Sequence, residues 1–154
     1  MLITQSVLSA LTLEADASPR RRKNRNFHAS SDAPAHRLLN ALEPDSYVRP
    51  HCHKDASKDE TIIALRGRFG VVFFDAAGAV IEHAVIAPAG ECVGVDIEHG
   101  SFHSIVALEG GSVFFECKAG PYAALSPDEL APWAPAEGDG AVPAYLAKLR
   151  ALFA

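Results

Sequence analysis

The sequence predicts an all-β domain, an antiparallel sandwich or small barrel with a short helix at each end. Three observations carry that reading. From Tyr47 to Lys118, short apolar and β-branched runs are divided by Gly, Pro and Asp turn signals. Pro50-His51-Cys52-His53 sets two imidazoles on alternate positions, and in a strand alternate side chains share a face. Helical periodicity is confined to the two ends. A length of 154 residues is that of one domain with a substantial core.

In chain order, Leu2, Val7, Leu8, Leu11 and Leu13 recur at helical spacing and Ser18-Pro19 stops the helix, so residues 1–19 read as an N-terminal helical extension. Arg20-Arg21-Arg22-Lys23 is the one concentrated positive patch. Arginine forks fit phosphate oxygens, as in a phosphate or sugar-nucleotide grip; the other reading is a solvated loop paired with the acidic remainder. Asn24 to Pro34 is polar and turn-rich, His36 to Leu42 is a short strand, and Glu43-Pro44-Asp45 is a turn. Strands are expected over Tyr47–His53, Thr61–Leu65, Arg68–Phe74, Ala79–Ala87, Cys92–Ile97, Ser104–Leu108 and Ser112–Lys118. Gly67, Asp75-Ala76-Ala77-Gly78, Pro88-Ala89-Gly90-Glu91, Glu98-His99-Gly100 and Glu109-Gly110-Gly111 separate them. With a Pro-rich segment to Ala136, this β body makes residues 20–137 the barrel domain. Tyr145, Leu146, Leu149, Leu152 and Phe153 then mark a C-terminal helix within 138–154 that caps the domain or meets a second subunit.

A formal net charge of −5 lacks the basic field that nucleic-acid binding needs. Cys52, Cys92 and Cys117 are odd in number and widely spaced, which fits neither a disulfide framework nor a structural zinc knuckle and points to a reducing cytoplasm. The N-terminus has no basic region ahead of its apolar residues and reads poorly as a signal peptide. No apolar run approaches the ~20 residues of a membrane span.

His51 and His53, the carboxylate of Glu60 and the imidazole of His103 form a candidate metal set. Neutral imidazoles and a carboxylate suit one divalent ion such as Fe, Mn, Ni or Zn, with open positions left for water or substrate. His28, His36, His83 and His99 read as surface or hydrogen-bonded residues. Period-2 alternation turns Arg49 and Tyr47 inward with the histidines. Arg49 is then a candidate to neutralise an anionic substrate group, the other reading being a salt bridge at the barrel mouth, and Tyr47 a candidate to contact substrate. On the last strand, one register turns Glu116 and Lys118 into the cavity, with Glu116 as general base and Lys118 as its charge partner and a substrate contact; the other register exposes them. Cys117 on the opposite face is then a core residue. Tyr122 and Trp133 are aromatic rings on proline-stiffened chain, suited either to stack on a sugar or to seal one end of the sheets.

The pattern of His51, His53, Glu60, Gly67, Gly100 and His103 resembles the two cupin motifs. Pro44-Asp45 stands in place of the usual leading glycine, the gap from His53 to Glu60 is longer than the commonest form, and His99 stands where proline precedes the glycine. Further runs carry a closer likeness: Asn24-Arg25-Asn26-Phe27-His28, Asn40-Ala41-Leu42-Glu43-Pro44, Tyr47-Val48-Arg49-Pro50-His51, Glu60-Thr61, Arg66-Gly67-Arg68, Phe115-Glu116-Cys117-Lys118, Gly120-Pro121-Tyr122 and Trp133-Ala134-Pro135. Together, over residues 20 to 137, they resemble the WbuC-family cupin-fold metalloproteins. The resemblance implies a double-stranded β-helix, a jelly-roll-like barrel, holding one divalent ion through His51, His53, Glu60 and His103. It also implies a sugar or nucleotide-sugar substrate of O-antigen synthesis and a homodimer, and a metal with Arg49 and a cavity base would then suit an isomerase or epimerase. The same ligands serve an Fe(II)-dependent dioxygenase or a non-catalytic binding protein for a small ligand.

Overall fold

The computed structural model describes residues 1–154. Its elements are α1 (Gln5–Asp16), β1 (Arg22–Asn26), β2 (Ala35–Leu42), β3 (Glu60–Arg66), β4 (Phe69–Phe74), β5 (Val80–Ile86), β6 (Gly94–Ile97), β7 (Phe102–Ala107), β8 (Ser112–Ala119) and α2 (Val142–Ala151). The strands form a five-stranded sheet, β1-β2-β8-β3-β6, and a three-stranded sheet, β5-β4-β7. Every strand pairing is antiparallel.

Alternation along the strands decides what lies between the sheets and what lies outside them. Leu42, Ile62, Ala64 and Phe114 of the large sheet meet Phe69, Val71, Ile86 and Ile105 of the small one in the central core. The opposite parity of the large sheet, Leu39, Ala41 and Val113, receives Leu8, Leu11 and Ala15 of α1. Those α1 residues recur at helical spacing, and the Thr4 side chain caps the helix by accepting the Val7 amide hydrogen at 3.4 Å. On the outer face of the small sheet, Leu146 and Leu149 of α2 pack on Val72, Phe74 and Val106. Each sheet thus carries one helix on its back, and the barrel interior is left to the strands. No helix is long and apolar enough to cross a membrane.

Two expectations are corrected. β1 forms across the end of the Arg20–Lys23 patch and the start of the segment read as polar and turn-rich; it is an edge strand of charged and amide residues, RKNRN, paired only to β2, so no apolar alternation marks it. The segment Tyr47–His53 is extended but is not a regular strand, because Pro50 has no N–H for a ladder. It is fastened on both sides: His51 exchanges two backbone hydrogen bonds with His103, at 3.0 and 2.9 Å, and on the other side it bridges Leu130, where the Cys52 amide donates to the Glu129 carbonyl at 2.9 Å and the Ala131 amide to the Pro50 carbonyl at 3.0 Å.

Candidate metal centre

The His51–His103 bridge is what builds the site. Two residues that exchange both backbone bonds stand opposite each other with their side chains on one face, and the two imidazole centroids lie 4.6 Å apart. Each ring is fixed by its Nδ1, His51 against the Arg49 carbonyl and His103 against the Ser101 carbonyl, both at 2.9 Å. That leaves each Nε2 for other work. His53 follows two residues on, and its Nε2 lies 3.0 Å from Glu60 Oε1. Glu60 opens β3, and its Oε2 is 3.3 Å from His103 Nε2. One donor atom each from His51, His53 and Glu60 lies within 4.8 Å of the other two. His103 stands beside this triad, against Glu60, rather than within it.

Electrostatics favour the ligand forms. Burial, then the neighbouring His103, pushes His51 down to about 3, so its imidazole is neutral through the physiological range. Burial alone would raise the Glu60 carboxyl, but hydrogen bonds from His103 and His53 and the charge of Lys118 outweigh it and hold the group far below the usual carboxylate range. A neutral His51 imidazole and an ionised Glu60 carboxylate, with the His53 ring beside them, are donor types that fit a borderline divalent ion.

The inward register of β8 sets the next layer. Lys118 stands directly across from Glu60 on β3 and His36 on β2. Its Nζ donates to Glu60 Oε1 at 2.6 Å and lies 2.7 Å from Glu116 Oε1. Glu116 Oε2 accepts from Asn40 Nδ2 at 2.8 Å, so Asn40, Glu116, Lys118 and Glu60 form one chain of charge-assisted bonds. Burial works against the Lys118 ammonium, yet the two carboxylates raise it above its ordinary value. Above the triad a cavity of about 240 Å³ is lined by His36, His51, His53 and Lys118 on one side and by Tyr122 and Leu125 on another. Below it a smaller cavity of about 160 Å³ runs inward past Glu60, His103 and Glu116 to Asn40 and Arg22.

Of the residues singled out from sequence, His51, His53, Glu60, His103, Glu116, Lys118 and Tyr122 therefore line two cavities that share His51 and Lys118 in their walls. Arg49 and Tyr47 line neither. With no regular strand at 47–53, alternation does not extend back from the histidines: the Tyr47 ring packs against α2 and its hydroxyl donates to the Pro135 carbonyl at 2.9 Å. Arg49 donates to the Ala131 carbonyl at 2.8 Å, bracing the 129–131 segment against the histidine run. Trp133 packs on Phe74 at 4.8 Å between centroids and seals the small sheet. Sequence reasoning did not single out Asn40 or the Asp59–His99 contact. The Asp59 carboxylate accepts the His99 amide at 2.8 Å, while the Gly100 amide donates to the His53 carbonyl at 2.6 Å, so one turn ties the segments carrying His53, Glu60 and His103 together. Position beside Glu60 and beside Gly100 was the available signal for that pair.

Solved structures share this architecture. KdgF from Halomonas sp. superposes with a TM-score of 0.53 at 18% identity, over 70% of this chain and 86% of that one. The conserved SPY1581 protein of unknown function from Streptococcus pyogenes gives 0.51 at 14% identity, over 69% and 80%. A mutant oxalate decarboxylase, OxdC, from Bacillus subtilis gives 0.51 at 21% identity, over 67% of this chain and 26% of its own length. At these identities the likeness is one of fold, and the fold is that of the cupins. No curated protein matches the chain. One family model does, over residues 3–86, a stretch that takes in α1 through β5 together with His51, His53 and Glu60. The chain is thus a cupin-fold protein, and it belongs to the DUF6016 family, a domain of unknown function.

Proposed function

We propose that this protein is a metal-dependent cupin enzyme of isomerase or epimerase type, acting on a small polar substrate of the sugar or nucleotide-sugar class. The observation that carries the reading is the convergence of His51, His53 and Glu60 within 4.8 Å, beside two cavities that share the His51 wall. His51, His53 and Glu60 would hold one divalent ion, with His103 as the fourth ligand once its ring turns from Glu60. A bound divalent ion supplies Lewis-acid polarisation of a substrate carbonyl or hydroxyl. Glu116 is the proton acceptor: its carboxylate faces the inner cavity, and the Lys118 ammonium 2.7 Å away balances its charge before the proton arrives. Lys118 also presents hydrogen-bond donors to the substrate. Tyr122, 65% exposed at the rim, offers a face on which a sugar ring stacks. Arg49 and Tyr47 act from behind, Arg49 by setting the carbonyl that orients His51 and Tyr47 by anchoring the start of that segment. Moving a proton from one carbon to its neighbour, or to the opposite face of the same carbon, needs no further cofactor. The WbuC-like runs in the sequence are the support for assigning such chemistry to surface-polysaccharide synthesis.

The saturation of Glu116 by Asn40 and Lys118 favours a second reading, a metal-dependent binding protein for the same ligands without turnover. Metal analysis of untagged protein, beside a His51→Ala/His103→Ala double variant, tests the centre itself. Near-stoichiometric zinc, nickel or manganese lost in the variant supports the proposal, and absence of metal after supplementation with each ion overturns it. Iron with oxygen consumption moves the assignment to a dioxygenase. Deuterium uptake into candidate sugars in D2O, abolished by Glu116→Gln, separates the isomerase from the binding protein.

A further inference from the structure

Residues 20–25 hold five of the chain's 14 Lys and Arg, in a protein of net charge −5. They flank a groove on the large sheet, outside the metal centre, lined by Arg20, Arg22, Lys23, Asn24 and Asn40 and by no apolar side chain. Three cations face one another there, and the carboxylates within reach are Glu137, shared by Arg20 and Arg22, and Glu14, 3.6 Å from Lys23. The local balance stays positive. Arg20 grips Glu137 with a two-pronged fork, Nε to Oε1 at 2.6 Å and one terminal nitrogen to Oε2 at 2.7 Å. The same carboxylate takes Arg22 at 3.1 Å. That fork is the geometry in which arginine holds any planar or tetrahedral oxyanion.

The backbone is bent to make this arrangement. Arg21 is the chain's one residue other than glycine with a positive φ, 55°, a conformation that L side chains adopt at a cost and that marks functional positions. It is held there from all sides: its amide donates to the Ser18 carbonyl at 2.9 Å, its carbonyl accepts from the Glu43 amide at 3.0 Å, and its guanidinium pairs with Asp45 and Asp16. The kink brings Arg20 and Arg22, on either side of it, to one carboxylate. Arg22 is further braced by donating to the Tyr47 carbonyl at 2.6 Å, and it is shared with Asn40 between this groove and the inner cavity below the metal centre.

We propose that this groove is a binding site for a phosphoryl group, a phosphate monoester or a diphosphate, and that Glu137 occupies the Arg20 fork and one terminal nitrogen of Arg22 until the ligand displaces it. Arg20 takes two phosphoryl oxygens in its fork, Arg22 donates from the terminal nitrogen that Glu137 vacates, Lys23 adds a point charge, and the amides of Asn24 and Asn40 donate to what remains.

Titration calorimetry of the full chain at fixed ionic strength, with inorganic phosphate, pyrophosphate and UDP as separate probes, tests this. Pyrophosphate and UDP should bind more tightly than phosphate. If UDP gains over pyrophosphate, the ligand is a nucleotide; if the two are equal, the phosphoryl group alone is read, and either result supports the site. An Arg20→Gln/Lys23→Gln variant, in side chains 60% and 49% exposed and so tolerant of change, should weaken pyrophosphate about tenfold or more. Glu137→Gln should do the opposite and tighten it, because the resident competitor loses its charge. Arg25→Gln/Arg37→Gln, exposed cations outside the groove, should change nothing. Failure of all three probes to bind at about millimolar concentration overturns the proposal. So does equal weakening by both double variants, which would mean diffuse attraction, and so does binding lost in His51→Ala but indifferent to the groove variants, which would put the phosphate on the metal centre.

Discussion

Lys118 carries two carboxylates at once, Glu60 at 2.6 Å and Glu116 at 2.7 Å, and both acids are nearly buried. Replacing it by methionine keeps the volume and removes the charge, leaving two like charges facing each other in a low-dielectric wall. Breaking a buried ion pair by deleting one partner costs about 3–5 kcal/mol. Urea unfolding of metal-free Lys118→Met should show a loss of that size, and adding Glu116→Gln should recover part of it; a loss below 1 kcal/mol would mean that water already solvates the pair. His51 supplies a pH dependence of known sign. Its folded value, about 3, lies below the ordinary 6.5, so between those limits the unfolded chain binds a proton that the folded one refuses. Stability of the metal-free protein should therefore fall as pH drops through that window, and Glu60, held down in the fold, adds to the fall below its ordinary 4.5. In His51→Ala the slope between pH 6.5 and 4.5 should flatten; denaturant midpoints measured at several pH values decide it.

At the scale of elements, the strands and both helices were legible wherever an apolar face recurred at a fixed period, as in β2, β4, β8 and α1. β1 was not, because an edge strand of Arg, Lys and Asn has no apolar face to repeat. Among the site residues, the histidine pair, Glu60 and His103 could be picked out by chemical type and spacing. Tyr47 and Arg49 could not be placed by parity, since Pro50 interrupts the ladder on which parity depends. The inward face of β8 was open to two readings in sequence and is settled by register: Lys118 is paired with Glu60 and Glu116 with Ile62, both on the core side of β3. The turn between β3 and β4 shows the same dependence on backbone. Gly67 has φ 71° and a β-carbon there would run into the Ser112 side chain. Gly67→Ala should cost about 1–3 kcal/mol, more than the gain from a stiffer unfolded chain, and thermal unfolding should register it as a lowered midpoint.

For the molecule as a whole, the candidate metal centre joins parts that are distant in sequence: the 51–53 segment, the first residue of β3 in the large sheet, and β7 in the small sheet. Unfolding must scatter these donors, so an ion that binds the folded chain and not the unfolded one adds its binding free energy to stability. Linkage sets the amount at about 2.7 kcal/mol when free metal is a hundredfold above its Kd. A thermal melt of metal-stripped protein should rise in midpoint as zinc or manganese is added, by several degrees at that excess for a domain of this size. The ion giving the largest rise at equal free concentration is the one that the site fits best. In His51→Ala/His53→Ala the rise should vanish while the metal-free midpoint moves little, because neither ring belongs to the apolar clusters between the sheets or under the helices. An undiminished rise in that variant would assign the stabilising ion to some other place on the surface and remove the centre's claim to it.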